Sequence, residues 1–89
     1  MIDLAASVFV FPCEFPIKAI GRSSADFQDT VVSIIRRHAP DLDERTISRR
    51  ASGQGNYLAI SATFTAHSRE QLDALYVELS GHDQVLWVL

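Results

Sequence analysis

Tyr57-Leu58-Ala59-Ile60-Ser61-Ala62-Thr63-Phe64-Thr65-Ala66 is the stretch on which the fold turns. Leu58, Ile60, Ala62 and Phe64 fall on one side of an extended chain, and Ala59, Ser61, Thr63 and Thr65 on the other. Strict alternation of this kind is the period of a strand with one buried and one open face. Immediately upstream, Ser52-Gly53-Gln54-Gly55-Asn56 gathers two glycines in a turn cluster, which predicts a hairpin to an earlier strand at 45–52. Downstream, Ser68 and Gln71 have the spacing of a capping box, and Leu72, Leu75, Tyr76 and Leu79 then recur at helical period. Gly81 is placed to end that helix in a left-handed conformation. A last run at 84–89 alternates Val85, Trp87 and Leu89 with Leu86 and Val88.

Toward the N-terminus, an acidic loop at 41–44 precedes the hairpin. Before it, Phe27, Val31, Ile34, Ile35 and His38 make one stripe of a helix over 25–38. Asp26 and Asp29 sit in its first turns and Arg36, Arg37 and His38 in its last, as the helix dipole favours. Ser23 and Ser24 are suitable N-caps, and Ala39-Pro40 stops the helix. Residues 15–21 alternate Phe15, Ile17 and Ala19 with Pro16, Lys18 and Ile20, which predicts a first strand.

The order is therefore strand, helix, strand, strand, helix, strand. Two such halves sharing a central hairpin give an α+β, ferredoxin-like βαββαβ sandwich: a four-stranded antiparallel sheet with two helices on one face. Residues 1–14 are left as an N-terminal arm, and 15–89 form a single domain.

Composition limits what such a domain does. The chain has 89 residues, 47% hydrophobic and 21% charged, with a formal charge of −3. One cysteine, Cys13, excludes an intrachain disulfide and a structural zinc site built on several thiolates. The acidic balance disfavours a nucleic-acid partner. No apolar run approaches the roughly 18 residues of a membrane span. The apolar residues 4–11 lack a preceding basic residue and so read poorly as a secretory signal, leaving a soluble, cytoplasmic protein as the expectation.

With helices on one sheet face, Val85, Trp87 and Leu89 are assigned to the covered side. Ile20, Leu86 and Val88 then cluster on the open side beside Lys18, Ala59, Ser61, Thr63, Ser48 and Arg50. That cluster is either an ordinary half-wet face or a surface for self-association into a homodimer, through the face or through an edge strand. Arg36, Arg37, Arg45, Arg49 and Arg50 crowd into fifteen residues; a solvated polar surface explains them without function, and a surface for an anionic ligand or an acidic partner is the alternative.

Catalytic and metal signatures are thin. His38 lies at a helix end without a specified nucleophile, and reads first as a structural histidine. A lone Cys13 without a patterned histidine reads as a packing residue. His38, His67 and His82 belong to no metal-ligand pair, so neither metal nor cofactor is expected. Gly21, Arg22 and Asn56 faintly echo the anion loop and asparagine of acylphosphatases, which keeps a hydrolase as the remote alternative. Base-stacking aromatics are missing from the expected open face of the central strands, which argues against an RNA-recognition module.

Phe11-Pro12-Cys13-Glu14-Phe15-Pro16-Ile17-Lys18-Ala19-Ile20-Gly21, Arg37-His38-Ala39-Pro40, Gly55-Asn56-Tyr57, Leu75-Tyr76-Val77-Glu78-Leu79 and the ending Val85-Leu86-Trp87-Val88-Leu89 together resemble the YbeD-like family of small bacterial proteins. The resemblance implies the ferredoxin-like fold, a bacterial cytoplasmic setting and similarity to ACT-type regulatory domains. It implies no reaction. ACT domains bind amino acids near the first strand–helix junction, which by position points to Gly21, Arg22, Ser23 and Ser24 and a small carboxylate or amino-acid ligand. The expectation is a non-enzymatic, dimeric regulatory module, with a protein-interaction adaptor as the second reading.

Overall fold

The computed structural model describes residues 10–89. Residues 1–9 of the expected arm lie outside the described residues; 10–14 are described, and the last two of them belong to the first strand, β1, which runs Cys13–Arg22. Helix α1 follows at Phe27–His38, then a 3-10 turn at Glu44–Thr46, strands β2 (Ser48–Ser52) and β3 (Tyr57–Ala66), helix α2 (Arg69–Gly81) and strand β4 (Val85–Val88). The sheet order is β2-β3-β1-β4, antiparallel throughout, so the fold is the α+β βαββαβ sandwich. Among the described residues no helix is long and apolar enough to cross a membrane.

β1 and β3 pair over their whole lengths, from Cys13 opposite Ala66 to Arg22 opposite Tyr57. Partners across an antiparallel pair share a face, so Phe15, Ile17, Ala19 and Gly21 line up with Phe64, Ala62, Ile60 and Leu58 on the covered side. Phe27, Val31, Ile34 and Ile35 of α1 and Leu72, Leu75 and Leu79 of α2 close over them, and all are buried. The predicted alternation of β3 is present at every position, even residues buried and odd ones half-exposed.

The capping box forms with one change. The Gln71 backbone N–H donates to Ser68 Oγ at 3.1 Å. The Gln71 side-chain oxygen accepts from the N–H of His67 at 2.6 Å, one residue before the N-cap, and its amide nitrogen donates to the carbonyl of His38 at 2.8 Å. One side chain thus satisfies orphan groups near the start of α2 and at the end of α1.

Four expectations shift. The N-cap position of α1 is Asp26, not a serine: Ser24 Oγ donates to Asp26 Oδ1 at 2.9 Å, while Ser23 Oγ donates to Gly55 O at 2.5 Å and its N–H to Asn56 O at 2.9 Å. Ser23 ties the β1–α1 junction to the hairpin turn, and Ser24 ties it to Asp26 at the start of α1. β2 begins at Ser48, because Asp43 accepts from both the backbone and the guanidinium of Arg45 and holds 44–46 in a turn. Gly81 is not left-handed; positive φ occurs only at Gly53, Gln54 and Gly55 among the described residues, and α2 ends as the His82 N–H bonds back to Leu79.

The fourth shift is the largest. Ala19 pairs with Val88 and Ile20 with Trp87, but Gly21 pairs with Val85, so β4 carries one extra residue opposite the Ile20–Gly21 step. Past this bulge the alternation of β4 inverts. Val88, expected on the open face, packs against the core, whereas Trp87, expected inside, lies beside Ile20 on the open face and is 58% exposed. Leu89 exchanges backbone hydrogen bonds with Lys18 at 2.8 and 3.2 Å and so joins the open face as well. Gly21 lets the bulge approach: a Cβ there would stand 2.2 Å from the Gln84 carbonyl oxygen and 2.4 Å from the Phe27 ring.

Gly21→Ala is therefore expected to destabilise the domain by about 1–3 kcal/mol, the usual range for overpacking. Equilibrium urea unfolding checks it, and an unchanged midpoint would show that β4 yields freely.

Candidate functional site

The four residues at the first strand–helix junction do not converge. Gly21 is buried beneath Phe27 and the start of β4, and Arg22 pairs across from Tyr57 on the open face. Ser23 and Ser24 instead line a shallow recess of about 410 Å³ with Ala25, Arg49, Ala51, Gly55 and Leu58. Arg49 and Ala51 come from the edge strand β2, opposite Ile60 and Leu58 of the covered face, so the recess opens on the helix side of that edge. Sequence reasoning placed Arg49 with the other arginines; only the β2–β3 register sets it beside the serines.

The helix N-terminus contributes little free positive charge here. The Asp26 carboxylate already stands there, held below the usual carboxylate range by the Ser24 hydroxyl and then by the Gln84 amide. The uncompensated charge at the recess is the Arg49 guanidinium, which has no ion-pair partner among the described residues. A planar fork beside small apolar side chains suits a carboxylate or phosphate group with a short apolar tail.

The five sequence-adjacent arginines are not one surface. Arg36 pairs with Glu44, Arg37 with Glu78 and Arg45 with Asp43. The Asp43 carboxyl is lowered and the Arg45 guanidinium raised by their mutual hydrogen bonds. Arg69 lies 3.8 Å from Asp73. Lys18, Arg22, Arg49 and Arg50 remain without a carboxylate partner among the described residues, and all four belong to the sheet. Among the described residues Glu14 is the only acidic residue on a strand.

The histidines are each engaged locally. His38 Nε2 lies 2.8 Å from Glu78 Oε1, His67 Nε2 3.0 Å from Asp41 Oδ2, and His82 Nδ1 accepts from the Gln84 N–H at 3.1 Å. Glu78 is held below the usual carboxylate range, chiefly by its bond to His38, with Arg37 adding to it. No group of three metal-ligating side chains occurs among the described residues. Cys13 is half-buried against the core, and Tyr76, edge-on to Phe15 at 6.4 Å, has its hydroxyl raised by burial.

Residues 6–89 match the family model described as "Protein of unknown function (DUF493)". Among its relatives are a UPF0250 protein of Chromobacterium violaceum, 43% identical over the full length of both chains, and one of Ectopseudomonas mendocina, 48% identical over 98% of this chain and 96% of that one. The chain belongs to this DUF493/UPF0250 family, the YbeD-like proteins. The solution structure of protein HP0495 from H. pylori superposes with a TM-score of 0.75 at 12% identity, covering 98% of this chain and 91% of that one. The ACT domain from the GTP pyrophosphokinase of Chlorobium tepidum superposes with a TM-score of 0.68 at 17% identity, over 88% and 96% of the two chains. At these identities the likeness is one of fold: the domain is ACT-like.

Glu78 joins the two helices through His38 and Arg37, and its depressed pKa ties that joint to pH. Its contribution to stability is present above the ordinary carboxylate value and lost as pH falls through the lowered folded value. Glu78→Gln should be less stable than the parent at neutral pH, with the gap closing in acid. Thermal unfolding across that range measures it; a gap independent of pH would show that the carboxylate charge contributes nothing.

Proposed function

We propose that this chain is a non-enzymatic, ACT-like regulatory module that binds a small carboxylate, an amino acid above all, at the recess between the β1–α1 junction and the edge of β2. The observation that carries this reading is Arg49, an unpaired guanidinium set beside Ser23 and Ser24 in a recess otherwise floored by Ala25, Ala51 and Leu58. The likeness to an ACT domain, and the position of the recess at the first strand–helix junction, support it.

Self-association belongs to the same reading. All five residues of β2 are exposed, and an edge strand leaves a row of backbone donors and acceptors unpaired. The recess is open along that edge, so a second copy aligned there would wall it in and raise the burial of a bound ligand. A hydrolase is less well supported: the Ser23 N–H, which an anion loop would aim at phosphate, already bonds to the carbonyl of Asn56 at 2.9 Å.

A thermal-shift screen of amino acids and small carboxylates at millimolar concentration tests the ligand. At least one compound should raise the melting temperature, by an amount corresponding to about 2.7 kcal/mol at a hundredfold excess over Kd. Arg49→Ala should abolish the shift without altering the melting temperature of the free protein. Acetyl phosphate should not be hydrolysed. A screen with no stabilising compound would overturn the reading. Sedimentation over a concentration series should show a monomer–dimer equilibrium shifted toward dimer by the same ligand, and a strict monomer at high micromolar concentration would remove the second copy from the site.

A further inference from the structure

We infer that the open face of the sheet is a docking surface for an acidic, extended protein segment, independent of the recess on the other side. The register places Arg50, Ala59, Ile20 and Trp87 side by side across all four strands. Arg22 flanks this row on one side and Lys18 on the other, each two residues along β1 from Ile20. The three cations have no carboxylate partner among the described residues. With strands about 4.8 Å apart and a rise of about 3.4 Å per residue, they form a triangle roughly 12–14 Å on a side. Carboxylates four residues apart on an extended chain span a similar distance. Inside the triangle the floor is low, formed by Ala59 and Ile20, while Trp87 and Leu89, 58% and 62% exposed, supply apolar area at its rim. Tryptophan and arginine together are the side chains that anchor protein interfaces.

The charge of the face selects its occupant. A second copy packed face to face would set the same patch on itself and bring cation against cation, since a two-fold interface is self-complementary. Glu14 is the one carboxylate on the described strands, so three cations stand against a single acid and the face keeps a net positive charge toward a copy of itself. Nucleic acid is disfavoured because the chain as a whole carries −3. Tyr57 and Trp87, the aromatics of this face, are moreover separated by Ile20 and Ala59, with Ser61 beyond, so no contiguous stacking platform runs along the central strands. An extended acidic segment with carboxylates at i and i+4 and an apolar side chain at i+2, all on the same side of the chain, meets both the cations and Trp87.

Trp87 is the only tryptophan, so its emission reads this face directly. The intact protein is titrated with a synthetic peptide repeating Glu-Ser-Leu-Ser, which sets glutamates four residues apart on one side of an extended chain with leucines between them, with the same peptide carrying lysine for glutamate, and with oligothymidylate. The acidic peptide should shift the emission saturably. Lys18→Glu combined with Arg50→Glu should weaken it by about tenfold or more, with Arg22→Glu as an independent variant and Arg49→Glu as a control that leaves it unchanged. Raised salt should weaken it too. No response to the acidic peptide, an equal response to the lysine peptide, a saturable response to oligothymidylate, or an emission change on concentrating the protein alone would each overturn the proposal. Because amino-acid stabilisation is scored at Arg49, failure here leaves the recess reading untouched.

Discussion

The ten-residue pairing of β1 with β3 is the constraint on which the rest of the molecule depends. It aligns every large covered-face side chain of one strand with one of the other, Phe15 against Phe64 at 5.8 Å between ring centroids, then Ile17 against Ala62 and Ala19 against Ile60. A slip of one residue would turn that whole set toward water. With the pair in place, both helices have a defined surface to cover, and the two edges have defined neighbours. Position on either face then follows from the register, including that of residues far apart in the chain.

Charge follows the same logic. Proximity in sequence makes five arginines look like a patch, yet three of them find carboxylates within reach: Glu44, Glu78 and Asp43. The cations that remain unpaired are gathered by strand pairing, not by sequence. Among the described residues they stand on strands that carry a single acid, in a chain whose net charge is negative. The molecule is therefore polarised, with acidic side chains concentrated on helices and connections and free basic ones on the sheet.

Much of the fold was legible because its signals are local. The alternation of β3, the glycine turn and the Ser68–Gln71 capping box each lie within about ten residues and needed no partner to be read. The site was less legible. Arg49 reaches Ser23 and Ser24 only through the β2–β3 register, and Asp26 takes the N-cap position while Ser24 bonds to its carboxylate and Ser23 to the hairpin turn. Strict alternation puts Trp87, Val88 and Leu89 on the faces opposite to those they occupy, because it has no knowledge of a bulge. The signal that was present was Gly21: a glycine within an otherwise regular strand marks close backbone approach.

Gln71 has a bearing on how the chain assembles. Its bond to the carbonyl of His38 spans 33 residues and encloses the whole β2–β3 hairpin within one loop. Closing a loop of that length from an unstructured chain carries an entropic cost that grows with the free segment. Once the hairpin has drawn the intervening residues together, the remaining gap is short. The helix-to-helix joint thus costs less to close after β2 and β3 have paired than before, which couples the helical layer to a hairpin that lies between the two helices in the chain.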